Sequence, residues 1–154
     1  LKATDMQAAV GCAQAERIPF VIKRRWENFL YLYNRLSEWK MGEQPVGEIL
    51  IFPKWLDRAE PSPFGFPLTV RPKSRLSRDK IVSHLEAANI ETRTMFGGNI
   101  LRQPGYKNIK HRKFGDLKNS DFVMTNTFFV GVHPGLTEEM LDYVVQKIRE
   151  AISV

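Results

Sequence analysis

The residues best suited to bind a ligand lie in a basic, glycine-containing segment, residues 97–120. Arg102 carries a planar guanidinium fork, which can bind phosphate or sugar oxygens through two parallel hydrogen bonds. Asn99 can donate to and accept from sugar hydroxyls, and Gly97 and Gly98 let the backbone approach a ligand closely. These residue types indicate recognition of a polar or phosphate-bearing small molecule. The alternative is a surface turn in which Arg102 bonds its own loop.

Three further residues are candidates for substrate binding, each with a structural alternative. Arg93 ends a predicted strand just before this segment, where it can reach a ligand or pair with a carboxylate in the core. Phe64 and Phe66 can flank a substrate, although a phenylalanine in a strand more often belongs to the core. The sequence alone leaves both interpretations open for each of the three.

The chain has no residue set with the spacing of a catalytic or metal centre. His84, His111 and His133 are not spaced as metal ligands with a cysteine, an acid or one another. Cys12 is the single cysteine, which excludes an intrachain disulfide and a metal site built from this chain's thiols. Its small apolar neighbours predict a packed core thiol. We therefore expect no catalytic residue and no metal ligand in this chain.

The composition is that of an ordinary globular domain with a basic surface. The 154 residues are 43% hydrophobic and 26% charged, with a formal net charge of +6. Apolar runs of only a few residues exclude a membrane span, and the polar start lacks the pattern of a signal peptide. The basic residues concentrate in 71–80 and 102–118, which predicts solvated loops or a phosphate-bearing ligand; no nucleic-acid-binding motif accompanies them. The single cysteine favours a cytoplasmic location.

Two helices are predicted at the start of the chain, over residues 5–15 and 18–39. Thr4 and Gln7 have the spacing of a capping box, and the small apolar residues that follow predict burial against another helix or another subunit. Pro19 suits the first turn of the second helix, whose apolar residues recur every three or four positions. The second helix is therefore expected to pack one face on a core.

Short strands, loops and helices make up the rest of the chain. Ser77 and Thr137 are predicted N-caps of two further helices, the first of which ends near Asn89. Pro67 places its strand at an edge or an end of the sheet. Strands are predicted over residues 49–52, 64–70, 91–96 and 121–132, with a long ordered loop over 97–120. The sum is an α+β fold.

Three segments resemble one family of enzymes. Residues 1–11 and 133–145 resemble the matching parts of the DegT/DnrJ/EryC1/StrS family, fold-type-I pyridoxal-phosphate enzymes that act on nucleotide-linked keto-sugars. Residues 92–104 resemble the loop of the family's 3-dehydrases, such as CDP-4-keto-6-deoxyglucose 3-dehydrase. Residues 64–67 also resemble a strand of the dehydrases, although Pro63 stands where relatives often carry tryptophan. The resemblance therefore favours the dehydrases over the family's sugar aminotransferases.

For the fold, the resemblance implies the C-terminal small domain of a fold-type-I enzyme, preceded by two helices. Residues 1–40 would be the helical segment that links the large and small domains, and residues 41–154 would be the small domain. Because the first residue is leucine, we expect the chain to be an excerpt of a longer protein.

For function, the resemblance implies part of a pyridoxamine-phosphate-dependent 3-dehydrase, which removes the C3 hydroxyl of a nucleotide-linked 4-keto-6-deoxysugar in dideoxysugar and O-antigen synthesis. The histidine base and the site of the pyridine ring would precede Leu1, and so would the cysteines of the iron–sulfur cluster that only some relatives hold. We therefore expect the isolated chain to be inactive. Lys2 would lie near the cofactor phosphate across a homodimer interface; the alternative is a frayed terminal lysine. In the relatives with a cluster, a reductase supplies the electrons.

Two other functions stay open. The protein could be a pyridoxal-phosphate-dependent nucleotide-sugar aminotransferase of the same family, which carries a lysine where the dehydrases carry the histidine base. The chain could instead be a non-catalytic module that binds an anionic partner through its basic loops.

Overall fold

The computed structural model describes residues 2–153 of the chain and has the α+β fold that the sequence predicts. Within that range the α-helices are α1 (Asp5–Glu16), α2 (Ile18–Ser37), α3 (Arg78–Ala87), α4 (Lys118–Asn126) and α5 (Glu138–Ile152). The strands are β1 (Lys40–Met41), β2 (Gln44–Pro45), β3 (Leu50–Ile51), β4 (Gly65–Val70), β5 (Thr92–Thr94) and β6 (Thr127–Gly131). None of the helices in the described range has both the length and the apolar composition needed to cross a membrane.

A four-stranded antiparallel sheet in the order β3-β4-β6-β5 forms the centre of the fold, and β1 pairs separately with β2. β4 pairs with β6 so that Pro67 lies opposite Phe129, and β5 places Arg93 opposite the same residue. β3 pairs only with Thr69 and Val70. β4 lies between β3 and β6, so the edge position predicted for its strand is wrong. Proline is tolerated at position 67 because β4 has only one neighbouring strand there among the described residues.

Helices α2, α3 and α5 cover one face of the sheet. Alternate residues of β4 point to this covered face, where Phe66 and Leu68 have no exposed surface. Phe29 and Leu32 of α2 belong to the same core. The buried residues that α3 and α5 add to it are Ile81, Leu85, Leu141, Val145, Ile148, Ala151 and Ile152. The core thus includes residues on both sides of the boundary predicted at residue 40.

α1 begins where the sequence predicts but is not buried. Thr4 Oγ1 accepts a hydrogen bond from the Gln7 amide at 3.3 Å, and Gln7 Oε1 accepts one from the Thr4 amide at 2.9 Å, so the capping box is confirmed. No residue of α1 is buried, and Cys12 is exposed. The core thiol predicted at Cys12 is therefore wrong for this structure, because no other element of residues 2–153 covers the small side chains around it.

Residues 121–126 belong to α4, so the first half of the strand predicted over 121–132 is wrong. Three consecutive apolar residues in this stretch fit a strand as well as a helix, and the preceding turn decides between them. Leu117 enters the helix from a left-handed backbone (φ 58°), and Asp116 Oδ1 accepts a hydrogen bond from the Lys118 amide at 3.1 Å. The predicted loop is ordered in part by two short 3-10 turns, at Ile100–Arg102 and Pro104–Tyr106.

Candidate functional site

Asn99, Arg102 and Asp121 form a polar cluster that joins the two ends of the 97–120 segment. Asp121 Oδ1 accepts hydrogen bonds from Asn99 Nδ2 at 2.7 Å and from Arg102 Nε at 3.0 Å. Asp121 Oδ2 accepts a further bond from Arg102 Nη2 at 2.7 Å, so the pairing of Arg102 with Asp121 is bidentate. The polar cluster therefore fixes the orientation of the Arg102 guanidinium.

Hydrogen bonds and charge also set the protonation of the polar cluster. The Arg102 guanidinium, followed by the Asn99 amide, lowers the pKa of Asp121 to about 2. Asp121 in turn raises the pKa of Arg102. The pair is therefore fully ionised at neutral pH. Asp121 is not recognisable from the sequence, because one acid at the start of a predicted strand carries no signal until the fold brings it onto Arg102.

The two ligand candidates of the polar cluster take different places in it. Asn99 is 4% exposed, its Nδ2 bonds Asp121, and its Oδ1 accepts from the Leu101 amide at 3.1 Å. Asn99 therefore holds the loop together, which corrects the sugar contact predicted for it. The Arg102 side chain is 61% exposed, and no hydrogen bond among residues 2–153 uses its Nη1. Arg102 can thus donate outward from Nη1, whereas a clamp through Nε would have to displace Asp121.

The turn before the polar cluster has a backbone that few residues adopt. Phe96 has φ 47° and Gly98 has φ 58°, both in the left-handed region. A Cβ on Gly98 would lie 2.4 Å from Met124 Cγ, so the turn approaches α4 at a distance that only glycine allows. Gln103 Nε2 donates to the Gly97 carbonyl at 2.6 Å and closes the turn. The close approach predicted for the glycines is thus, at Gly98, an approach to α4.

The sheet face opposite the three covering helices, which we call the open face, carries exposed aromatic rings. Phe96 is 70% and Phe64 is 54% exposed, and their ring centroids lie 6.1 and 5.6 Å from that of Phe129. These rings line an apolar cleft of about 310 Å³ that extends from the open face to Trp26 and Phe29 of α2. A bulky exposed residue in a strained backbone is a common feature of ligand sites. Phe64 and Phe96 are therefore within reach of a ligand at the open face.

Phe66, the other phenylalanine proposed to contact substrate, lies in the core. It has no exposed surface, and its ring centroid is 5.1 Å from that of Phe29 in an edge-on contact. The predicted substrate contact is therefore corrected, since a fully buried ring cannot meet a ligand. A period of two would put Phe64 and Phe66 on one face. Phe64 does not follow this alternation because it precedes β4, which begins at Gly65.

Arg93 and Lys2, the remaining predicted binding residues, are not part of the hydrogen-bond network of the polar cluster. Arg93 forms an exposed ion pair with Glu91, so its partner is a surface acid and not an acid in the core. Arg93 and Glu91 both line a groove of about 750 Å³ between β5 and α5, with His133 and Tyr143. Lys2 is exposed just before α1. Neither Arg93 nor Lys2 hydrogen-bonds to the polar cluster.

The histidines of the chain are held in separate local contacts. His111 Nδ1 bonds the Ile109 carbonyl, and His133 Nδ1 accepts from the Gly135 amide at 3.0 Å. Within residues 2–153, no three His, Cys, Asp or Glu side chains form a group that could hold a metal ion. The described residues therefore offer two features that can bind a ligand: the Arg102 guanidinium, whose Nη1 is not used, and the apolar cleft.

Comparison with known proteins relates nearly the whole chain to longer enzymes. The family model described as the DegT/DnrJ/EryC1/StrS aminotransferase family matches residues 1–149. The lipopolysaccharide biosynthesis protein RfbH of Salmonella typhimurium is 45% identical over 150 residues, which are 97% of this chain and 33% of that protein. The dTDP-4-dehydro-2,6-dideoxy-D-glucose 3-dehydratase of Saccharopolyspora spinosa is 39% identical over 153 residues, 99% of this chain and 31% of that protein. This chain thus spans about a third of the length of these relatives.

A solved structure shares the fold. GDP-4-keto-6-deoxymannose-3-dehydratase with a trapped PLP-glutamate geminal diamine aligns with a TM-score of 0.80 at 24% identity, over 93% of this chain and 35% of that chain. The predicted fold, that of the C-terminal part of a fold-type-I pyridoxal-phosphate enzyme, is therefore confirmed. The chain belongs to the DegT/DnrJ/EryC1/StrS aminotransferase family.

Proposed function

We propose that this chain is the C-terminal part of a pyridoxamine-phosphate-dependent nucleotide-sugar 3-dehydratase. The reaction removes the C3 hydroxyl of a 4-keto-6-deoxyhexose. The observation that carries the proposal is the similarity, along nearly the whole chain, to a 3-dehydratase that acts on a dTDP-linked sugar. The similarity to a lipopolysaccharide biosynthesis protein supports a product used in O-antigen synthesis.

The chemistry of the site supports a deoxysugar as the ligand. A 6-deoxyhexose has an apolar methyl group at C6 and polar oxygens elsewhere on the ring. The apolar cleft beside Phe64 and Phe96 can receive the methyl group and exclude water from it. Arg102, held by Asp121, can donate from Nη1 to a sugar or phosphate oxygen. The division of the site into apolar and cationic parts matches the two ends of such a ligand.

The cofactor would be held mainly by the rest of the protein. When bound, pyridoxamine phosphate supplies the amine that condenses with the sugar ketone. Lys2 fits a supporting role, because it is an exposed cation able to approach a phosphate. We place the catalytic base and the ring-binding residues outside this chain and therefore propose that the chain alone has no turnover. A cytoplasmic homodimer, an iron–sulfur cluster and an electron-transfer reductase remain predictions of the resemblance.

The test is the reaction of the full-length protein with pyridoxamine phosphate and a nucleotide-linked 4-keto-6-deoxysugar, followed by mass spectrometry of the sugar. Loss of water without gain of an amine would support the 3-dehydratase. Because Asp121 holds the Arg102 fork, Arg102→Lys should raise KM by about tenfold, whereas the exposed Arg58→Lys serves as the matched control and should not. Unchanged KM in Arg102→Lys would remove this residue from the site.

An aminotransferase is the second candidate, and the description of the family itself favours it. In that case the same incubation, supplied with an amino donor, would convert the ketone to an amine and leave the C3 hydroxyl in place. A protein that binds anions but gives neither product would be the non-catalytic module.

A further inference from the structure

Between the 3-10 turn Pro104–Tyr106 and the start of α4 the chain carries a concentrated positive charge. We call residues 107–118 the cationic arm. Its cations are Lys107, Lys110, Arg112, Lys113 and Lys118, and its only carboxylate is that of Asp116. Residues 104–116 are all exposed. Five cations against one acid give this surface loop a strong attraction for anions.

Most of this charge is not neutralised within the structure. Asp116 pairs with Lys118, with 2.8 Å between its Oδ2 and the lysine Nζ. The ion pairs of residues 2–153 include none of the other four cations of the arm. Like charges this close together repel one another, and a bound anion would relieve that repulsion.

Both ends of the cationic arm are anchored to the proposed sugar site. The arm starts one residue after the 3-10 turn Pro104–Tyr106, which follows Arg102 closely. It ends at Lys118, the first residue of α4, just after Leu117, whose left-handed backbone leads into the helix that carries Asp121. The bidentate pairing of Arg102 with Asp121 therefore closes the stem of the arm. An anion bound by the arm would lie next to a ligand bound at Arg102.

The cationic arm also carries two apolar side chains that are largely exposed. Phe114 is 95% exposed and Ile109 is 52% exposed. An aromatic ring next to several cations matches a planar base attached to phosphates, because the ring stacks on the base while the cations meet the charge.

We infer that the cationic arm binds the nucleoside diphosphate portion of the substrate, while Arg102 and the apolar cleft receive the sugar. This inference rests on the proposed function for the identity of the ligand. The position of the arm favours it over an acidic protein or a nucleic acid, since the stem of the arm is the sugar site itself. A diphosphate between the arm and Arg102 would be contacted from both sides.

The test uses the full-length protein and a variant in which Lys107, Lys110, Arg112 and Lys113 are all replaced by glutamine. The matched control replaces four exposed cations outside both basic segments by glutamine: Arg17, Lys23, Lys40 and Arg58. Binding of the free nucleoside diphosphate, GDP or dTDP, is measured by calorimetry. KM and kcat are measured with the nucleotide-linked keto-sugar.

We expect the arm variant to bind the nucleoside diphosphate about tenfold more weakly or worse, with KM raised in parallel and kcat within about twofold. The control should bind as the wild type does. Equal loss in both variants, or unchanged binding in the arm variant, would overturn the inference. So would unchanged nucleotide binding combined with lost capture of RNA or of an acidic protein. If the wild type binds the nucleotide but converts no sugar, the proposed function fails, and the calorimetry still decides the role of the arm.

Discussion

The two faces of the central sheet are made by the same strands, and adjacent residues of β4 alternate between them. On the covered face, Phe66, Leu68 and Phe128 have no exposed surface, because helices of the same chain pack over them. On the open face, Pro67 and Phe129 remain partly exposed. Exposed rings lie at this second face, and Asn99 and Arg102 of the polar cluster follow the turn after β5.

This contrast separates residues that stabilise the fold from residues that are available to a ligand. Helices of the same chain bury the side chains of the covered face, so these side chains should contribute mainly to the free energy of unfolding. The open face keeps aromatic and charged groups that this chain does not bury. Substitutions there should change binding more than stability. The predictions below test that division, from the largest expected effect to the smallest.

Phe66→Ala and Phe64→Ala form a matched pair two residues apart. Phe66→Ala should lower the free energy of unfolding by about 3–5 kcal/mol, because it leaves a cavity in a closed core. Phe64→Ala should cost less than about 1 kcal/mol, since the ring is 54% exposed, and should instead raise KM. Urea unfolding and steady-state kinetics measure the two effects. Equal losses of stability would mean that the Phe64 side chain is buried in solution as Phe66 is.

Gly98→Ala should be the most damaging single change in the turn. The added Cβ would lie 2.4 Å from Met124 Cγ, and the φ of 58° disfavours alanine. Together these effects should cost about 2–4 kcal/mol in unfolding free energy.

The neighbouring Gly97→Ala is the control, because a Cβ there has nothing within 4 Å. It should leave the unfolding free energy unchanged within about 0.5 kcal/mol. If both variants lose the same amount, the close approach of Gly98 to Met124 does not determine the turn.

Asp121→Asn tests the charge of the polar cluster. Because the pKa of Asp121 is lowered to about 2, its ionised pairing stabilises the folded state above the unfolded value near 4. That contribution is lost as the pH falls towards 2. The wild type should therefore unfold at higher urea than the variant at pH 7, and the gap should shrink between about pH 4 and pH 2.

The exposed Asp57→Asn, which removes an acid that forms no ion pair among residues 2–153, is the control and should show no such gap. A gap for Asp121→Asn that persists unchanged at pH 2 would mean that the carboxylate charge does not hold the loop.

Sequence patterns predicted the elements whose signals are local. The capping box at Thr4 and the N-caps Ser77 and Thr137 all appear in the structure, because each depends on residues three positions apart. The amphipathic stripe of α5 is likewise confirmed at Leu141, Val145, Ile148 and Ile152. The periodicity of apolar residues predicts the buried face of a helix when that face packs on a core of the same chain.

The errors fall where features outside the segment itself decide, either long-range contacts or the preceding turn. Cys12 looked like a core residue because its neighbours are small, but burial also requires a facing surface. Residues 121–126 looked like a strand, and the turn at Leu117 makes them helical. Asp121 could not be recognised, since its partners Asn99 and Arg102 are about twenty residues away in sequence. The polar cluster is therefore visible only in the structure, although the residue types of Asn99 and Arg102 already indicate ligand binding.

The smallest effect on stability is expected at the exposed pair of Arg93 and Glu91. Both side chains are mostly exposed, at 69% and 72%, so Glu91→Gln should change the unfolding free energy by less than about 1 kcal/mol. Added salt should reduce even that difference, because solvent ions screen exposed charges. Arg93→Gln should be equally mild in urea unfolding. If Arg93 contacts the substrate, this variant will nevertheless raise KM, while Arg58→Gln, a change at another exposed arginine, will not. A KM unchanged in Arg93→Gln would leave the pair as a surface contact and confine substrate binding to the polar cluster and the apolar cleft.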